Sequence, residues 1–94
     1  MTRTELARAL ATRRGLPRAE AARVVSAVLE GIEEALCEGR RVEVRGFGTL
    51  RPRHYPGYIG RNPRDGGRVV VGPKVLPVYR PGRALLARLA QREE

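Results

Sequence analysis

The stretch "GRNPRDGG", residues 60–67, decides the fold because it has the composition of a β-hairpin tip. Asp65-Gly66 is a dipeptide typical of tight hairpin turns. Residues 50–59 and 68–79 flank it and predict a long two-stranded ribbon. A ribbon tip has little to pack its side chains against. The arginines and the proline of this tip therefore indicate a partner outside the chain.

Two helices are predicted before the ribbon. Thr2-Arg3-Thr4-Glu5 is a capping box that starts the first helix, and Gly15 is the type of residue that ends a helix in a left-handed conformation. Pro17 favours a first helical turn, and Gly39 closes this second helix. Apolar residues recur in the second helix with the spacing of a strong amphipathic stripe: Val25, Val28, Leu29, Ile32 and Leu36.

From Arg41 onward the hydrophobic period changes to two, which is typical of a strand. The alternation slips at Gly46-Phe47-Gly48, and glycines beside an aromatic residue predict a bend or bulge there. Four prolines suit a two-stranded arm, whose free edges need no N–H: Pro52, Pro56, Pro73 and Pro77. Pro81-Gly82 is predicted to open a short third helix.

The sequence therefore predicts one α+β domain over residues 1–94. Residues 1–39 are expected to form a helical base. Residues 40–80 are expected to form a three-stranded antiparallel sheet extended into a β-ribbon arm, with its tip at 60–67. Residues 81–94 are expected to form the C-terminal helix. A chain of this size buries a modest share of its surface, so a partner subunit would add stability.

The charge is polarised along the chain. Residues 1–43 hold eight arginines against seven glutamates, whereas residues 44–94 hold eleven cations against three carboxylates. Such a field suits a polyanion, nucleic acid first and an anionic membrane second. The alternative is a generally basic, solubilising surface. A helix-turn-helix is disfavoured, because the second helix carries glutamates that would repel phosphates.

Several functional classes are disfavoured by composition. Cys37 is the single cysteine and His54 the single histidine, so we expect no disulfide, no metal site and no cofactor. No constellation of catalytic residues is present, and we expect no enzyme. The N-terminus lacks the apolar run of a signal peptide, and no stretch approaches the roughly 18 apolar residues of a membrane span. A cytoplasmic protein without a membrane partner is expected.

The segments "VEVRGFGTL", "GRNP" and "VVVGPKVLPVYRPGRAL", in this order, resemble the HU and integration host factor family of bacterial histone-like DNA-binding proteins. The resemblance covers essentially all 94 residues, and "VEVRGFG" looks closer to the beta subunit of integration host factor. In this family two chains intertwine into a dimer with a helical base. The two ribbons reach around DNA in the minor groove, and the proline at each tip wedges between base pairs.

The resemblance implies an architectural, nucleoid-associated protein that bends and compacts duplex DNA with low sequence specificity. Its partners would be double-stranded DNA and a second copy of itself, or a paralogous subunit in a sequence-preferring heterodimer. RNA is a plausible secondary ligand, because phosphate attraction is indifferent to the sugar. Binding to an anionic membrane through the third helix is disfavoured, because Leu85, Leu86 and Leu89 make too small an apolar face.

Charge and resemblance together predict two sets of site residues. The predicted DNA-binding residues are Arg45, Arg51, Arg53, Tyr55, Tyr58, Arg61, Asn62, Pro63, Arg64, Arg68, Lys74, Arg80, Gly82 and Arg83, with Pro63 as the intercalating residue. The predicted dimer core comprises Val25, Val28, Leu29, Ile32, Leu36, Val42, Val44, Phe47, Leu50 and Tyr79.

Several of these residues have two interpretations. Pro63 is rigid, apolar and free of an N–H, which suits a wedge between bases, but Asn62-Pro63 could also belong to an ordinary turn. Glu43 and Arg45 either contribute to sequence preference or form a solvated charge pair. Tyr55 and Tyr58 stand where the family usually has arginines.

Those two tyrosines either lie against sugars or stiffen the ribbon by cross-strand pairing. Pro81-Gly82-Arg83 either binds a phosphate at a helix start or only caps the helix. Cys37 is most simply a small buried or interface residue.

Overall fold

The computed structural model describes residues 1–92, which form three helices and five strands. The elements are α1 (Arg3–Arg14), α2 (Arg18–Cys37), β1 (Val42–Val44), β2 (Gly48–Tyr55), β3 (Tyr58–Arg61), β4 (Arg68–Val71), β5 (Lys74–Pro81) and α3 (Arg83–Arg92). The predicted α+β order is confirmed. The last two residues of the predicted C-terminal helix, 93 and 94, lie outside the described residues.

The two N-terminal helices begin and end where the sequence predicts. The Glu5 amide donates to Thr2 Oγ1 at 3.1 Å, and the Thr2 amide donates to Glu5 Oε1 at 3.0 Å, which completes the capping box. Gly15 ends α1 at φ +64°, and Gly39 follows α2 at φ +80°. The chain divides into two compact units, residues 1–35 and the residues from 36 onward.

The core of the described chain is thin. Its buried hydrophobic residues are Ala7, Ala21, Val25 and Ala35, and no large side chain is fully buried. Leu29, Ile32 and Leu36 are only half-buried, and Val28 is 58% exposed. Most of the apolar stripe of α2 is thus left uncovered by a single chain.

The strands form two separate antiparallel sheets, one with the order β1-β2-β5 and one with the order β3-β4. Val44 pairs with Gly48, and the Phe47 amide donates to the Val44 carbonyl at 3.0 Å. The chain therefore reverses completely between β1 and β2, and our prediction of a bend or bulge within one strand is wrong. The alternation slips at this point because a tight turn separates two strands, with Gly46 at φ +85°.

The arm is not the uninterrupted ribbon that we predicted. β2 pairs with β5 from Gly48↔Pro81 to Tyr55↔Lys74, and a second ladder, β3 with β4, begins at Tyr58↔Val71. The break falls at Pro56-Gly57 on one side and Gly72-Pro73 on the other. Proline has no N–H for a ladder, and a Cβ at Gly57 would lie 2.7 Å from the Val71 carbonyl oxygen. These residues end one ladder and start the next.

An aromatic corner joins the β1–β2 turn to the end of β5. The Tyr79 hydroxyl donates to the Phe47 carbonyl at 2.8 Å, and the two ring centroids lie 5.1 Å apart. The Gly82 amide donates to the same carbonyl at 3.0 Å. A Cβ at Gly48 would overlap the Arg80 carbonyl oxygen and come within 2.7 Å of the Tyr79 ring. Only glycine fits at this corner.

Replacing Gly48 with Ala should therefore destabilise the fold by about 1–3 kcal/mol, as overpacking of a tight site does. Gly72→Ala is the matched control, because a Cβ at Gly72 meets no atom within 4 Å. Thermal unfolding of both variants at equal protein concentration is the measurement. Equal melting temperatures for the two variants would contradict this account of the corner.

Candidate nucleic-acid interface

The β2–β5 ladder separates charge from apolar surface. Side chains alternate across a strand, and residues opposite each other in the register share a face. One face, which we call the cationic face, carries Glu43, Thr49, Arg51, Arg53, Tyr55, Lys74, Leu76, Val78 and Arg80. The other, the apolar face, carries Val42, Val44, Leu50, Pro52, His54, Val75, Pro77 and Tyr79. Five predicted DNA-binding residues thus lie together, opposite four predicted core residues.

The Tyr55 ring contacts an arginine of its own strand. The Arg53 guanidinium carbon lies 5.2 Å from the centroid of the half-buried Tyr55 ring, which is cation–π geometry. Tyr58 packs along its own strand as well, because its ring lies 3.3 Å from where a Gly60 Cβ would be. Each tyrosine also stands opposite a residue of the facing strand, Lys74 for Tyr55 and Val71 for Tyr58, so the stiffening of the ribbon by cross-strand pairing stays a prediction.

Hydrogen bonds within the loop of residues 62–67 hold the arm tip. The Asn62 amide donates to the Gly67 carbonyl, and the Gly66 amide donates to the Asn62 carbonyl, both at 2.8 Å. The Gly67 amide donates to Asp65 Oδ1 at 2.8 Å, and Gly66 has φ +71°. The chain reverses within this loop, as predicted, but the hydrogen-bonded turn runs from Asn62 to Gly66, so Pro63 lies inside the turn and not on the strand before it.

Asn62 has a structural role that the sequence analysis missed. Its Oδ1 accepts a hydrogen bond from the Arg64 amide at 2.9 Å, which is the geometry of an Asx turn. The sequence feature that could have predicted it is an asparagine two residues before the backbone amide of Arg64. This bond fixes the backbone on both sides of Pro63, which is itself exposed.

The arginines of the arm have no carboxylate partners. Within residues 1–92 the ion pairs are Arg40–Glu38 at 2.6 Å and Arg41–Glu43 at 2.9 Å, both in the body. The arginines at the tip and at the start of β4 are exposed: Arg61, Arg64 and Arg68. Their guanidinium groups are therefore free to form charge-assisted hydrogen bonds to phosphates.

Glu43 forms a charge pair, but with Arg41, the residue just before β1, instead of Arg45. Arg45 lies exposed in the β1–β2 turn. Cys37 is exposed in this chain, so of its two predicted environments only the interface between subunits stays a prediction. His54 is a surface residue of the ribbon, as predicted.

The start of α3 carries no acidic residue in its first turn. The Leu86 amide donates to the Gly82 carbonyl at 3.0 Å, so Gly82 precedes the first helical turn. A Cβ at Gly82 would meet Phe47 only at ordinary contact distance, 3.5 Å. The fold therefore does not require glycine at this position, and the helix start leaves amides available to an anion.

Comparison with known proteins identifies the family. The sequence pattern of the family described as bacterial DNA-binding protein matches residues 1–90. The chain belongs to this family. It is 40% identical over 93 residues to integration host factor subunit beta of Paraburkholderia xenovorans, covering 98% of this chain and 87% of that protein. It is 37% identical over 90 residues to the same subunit of Halorhodospira halophila, covering 95% and 88%.

Solved structures of the bacterial DNA-binding protein family share the fold. The HU–DNA cocrystal structure from Anabaena has a TM-score of 0.87 at 29% identity, covering 96% of this chain and 98% of that one. HU from Thermotoga maritima has a TM-score of 0.67 at 25% identity, covering 95% and 98%. The resemblance drawn from GFG, GRNP and PGRAL is thus confirmed, and the protein is a DNA-binding member of the family of HU and integration host factor.

Neither a metal-binding cluster nor a membrane-spanning helix is found in the part of the chain that the structure describes. Residues 1–92 contain no group of three or more His, Cys, Asp or Glu side chains that could hold a metal ion. None of the described helices is both long and apolar enough to cross a bilayer.

The cationic face predicts a steep salt dependence of DNA binding, because each neutralised phosphate releases counterions. Arg53→Gln should lower the slope of log K against log salt by about 0.9, the value for one phosphate contact on duplex DNA. Arg13→Gln, at the end of α1, is the control with the same change in net charge. Fluorescence anisotropy on one duplex at several salt concentrations measures both slopes. A wild-type slope near zero, or equal slopes for the two variants, would contradict the assignment of the cationic face.

Proposed function

We propose that this protein is a dimeric architectural DNA-binding protein that bends duplex DNA and organises the nucleoid. The observation that carries the proposal is the separation of charge across the β2–β5 ladder. The cationic face continues towards an exposed tip of arginines and a proline, whereas the apolar face is left uncovered by one chain. We infer that DNA lies on the first face and a second chain on the other.

The exposed apolar side chains of the body indicate a second chain. Val28, Val44, Phe47 and Tyr79 are each at least 40% exposed, and the few buried residues are mostly alanines. Burying apolar surface contributes roughly 25 cal/mol per Å², and a small domain needs such burial to be stable. We propose that the predicted dimer core is completed by the second subunit, so that all 94 residues act as one DNA-binding domain.

The tip of the arm has the features of a DNA-bending wedge. Pro63 is exposed on a loop whose backbone is fixed by Asn62 and Asp65. A rigid apolar side chain without an N–H can enter a base-pair step at a cost of a few kcal/mol, a magnitude known from this class of DNA-bending protein. Arg61 beside it suits the electronegative minor groove, and Arg64 suits a phosphate. Specificity should then depend mainly on DNA deformability.

A sequence-preferring heterodimer subunit is the second candidate. It is favoured by the similarity to integration host factor subunit beta and by Arg45, which is exposed at the β1–β2 turn. Against a direct role for Glu43, its carboxylate is engaged by Arg41. Neither candidate function requires a catalytic step. The polar contacts of the arm fix the loop backbone and orient an arginine.

Pro63→Ala should reduce DNA bending more than it reduces affinity, because the arginine contacts remain while the wedge is lost. Energy transfer between dyes at the two ends of a short duplex measures bending, and anisotropy measures affinity on the same duplex. Pro77→Ala is the control, since Pro77 lies on the apolar face, away from the tip. Unchanged energy transfer with Pro63→Ala would overturn the wedge assignment.

The purified chain should form a homodimer by light scattering at micromolar concentration. Val28→Asp should weaken it strongly, because an unpaired charge buried in an interface carries a large desolvation penalty. Ala27→Asp, at an exposed neighbouring position on α2, should leave the dimer intact. A wild-type monomer that dimerises only with a second gene product would favour the heterodimer instead.

A further inference from the structure

The two faces of the β3–β4 hairpin differ in charge. The register pairs Ile59 with Val70 and Arg61 with Arg68, and alternation places these four residues on one face, which we call the arginine face. The opposite face carries Tyr58, Gly60, Val69 and Val71 and has no cation. The outer half of the arm thus has one face suited to a polyanion and one that is not.

An exposed apolar pair lies on the arginine face. Ile59 is 64% exposed and Val70 is 79% exposed, although they stand directly opposite each other. The other face is partly self-covered, because the Tyr58 ring lies over Gly60 and Val71 is half-buried. Packing within the chain therefore covers Gly60 and Val71 of that face, although Tyr58 is 61% and Val69 41% exposed, and it covers neither member of the Ile59–Val70 pair.

The neighbouring arginines indicate what covers this pair. Arg61 and Arg68 face each other directly, and like charges at facing positions destabilise a hairpin. An anion between them would remove that repulsion. A ligand that presents anionic groups next to apolar surface, repeated along a line, is a sugar–phosphate backbone.

The two nucleic acids differ at the surface that such a pair would touch. The minor groove of an RNA helix displays 2′-hydroxyl groups, whereas deoxyribose presents a methylene at the same position. Covering a hydroxyl with Ile59 and Val70 leaves it without a hydrogen-bond partner, which costs free energy. Covering deoxyribose with them removes apolar surface from water, which is favourable.

We propose that the Ile59–Val70 pair lies against the deoxyribose walls of the minor groove and selects DNA over RNA, an inference that rests on the proposed function of the arm. The phosphate contacts of the arginines are the same for both sugars. The discrimination therefore resides in two neutral side chains of the arginine face.

The test compares duplex DNA and duplex RNA of the same sequence, by anisotropy at one salt concentration. Wild-type protein should prefer DNA, and the double variant Ile59→Thr, Val70→Thr should lower the ratio of the DNA to the RNA association constant by about fivefold or more, the size expected for removing an unsatisfied hydroxyl contact. Threonine is β-branched and suits a strand, so the exposed hairpin should be retained. The salt dependence should not change.

Val69→Thr is the matched control, because Val69 lies on the same strand but on the opposite face. It should leave the ratio at the wild-type value. An unmoved ratio in the double variant, or an equal shift in the control, overturns the sugar discrimination while duplex binding persists. A wild-type chain that fails to bind duplex DNA overturns the proposed function itself. Circular dichroism of each variant confirms that its fold is intact.

Discussion

The alternation of side chains along the β2–β5 ladder is the constraint on which the rest of the structure depends. Because facing residues share a side of the sheet, a register running from Gly48↔Pro81 to Tyr55↔Lys74 places every cation of these strands on one face. A slip of one residue in either strand would mix charge with apolar surface on both faces. The Gly48 corner fixes that register, since only glycine fits against Arg80 and Tyr79.

Stability and function are divided between the two faces. The apolar face and the stripe of α2 lack enough cover in one chain, so their burial is assigned to a second subunit. The cations of the cationic face and the tip form no ion pair within residues 1–92, so their charge is assigned to DNA. Because each strand contributes side chains to both faces, the same few residues provide the dimer contact and the DNA contact. A chain of 94 residues can therefore form a stable fold and a large binding surface.

Features that depend on neighbouring residues were predictable from the sequence. The capping box at Thr2, the left-handed Gly15, the amphipathic period of α2 and the chain reversal within residues 60–67 each involve only a few consecutive residues or one helical repeat. The charge polarity and the order of motifs were sufficient to indicate the family. The predicted DNA-binding residues of the β2–β5 ladder proved to share one face because strand alternation is itself a local rule.

Two kinds of feature were not predictable: pairings between residues far apart in the chain, and local conformations or side-chain orientations for which the sequence allows more than one outcome. The ladder break needs Pro56-Gly57 to meet Gly72-Pro73, and the complete reversal at Gly46 is visible only once β2 pairs with both β1 and β5. Asn62 was predicted to lie in the DNA groove beside Pro63. Its side chain also accepts a hydrogen bond that fixes the loop backbone. The Tyr55 ring contacts Arg53, two residues away on the same strand. The sequence does not reveal which neighbour a tyrosine ring contacts, because this depends on the orientation of the ring.

Photocrosslinking from neighbouring positions of β5 tests the central claim most directly. Leu76 and Val75 are both neutral and exposed, and they lie on the cationic face and the apolar face, respectively. A photoreactive residue placed at each position in turn, with duplex DNA bound, should crosslink to DNA from position 76 and to the partner chain or to nothing from position 75. Equal or stronger crosslinking to DNA from position 75 would contradict the division of the sheet into a DNA-binding face and a dimer face.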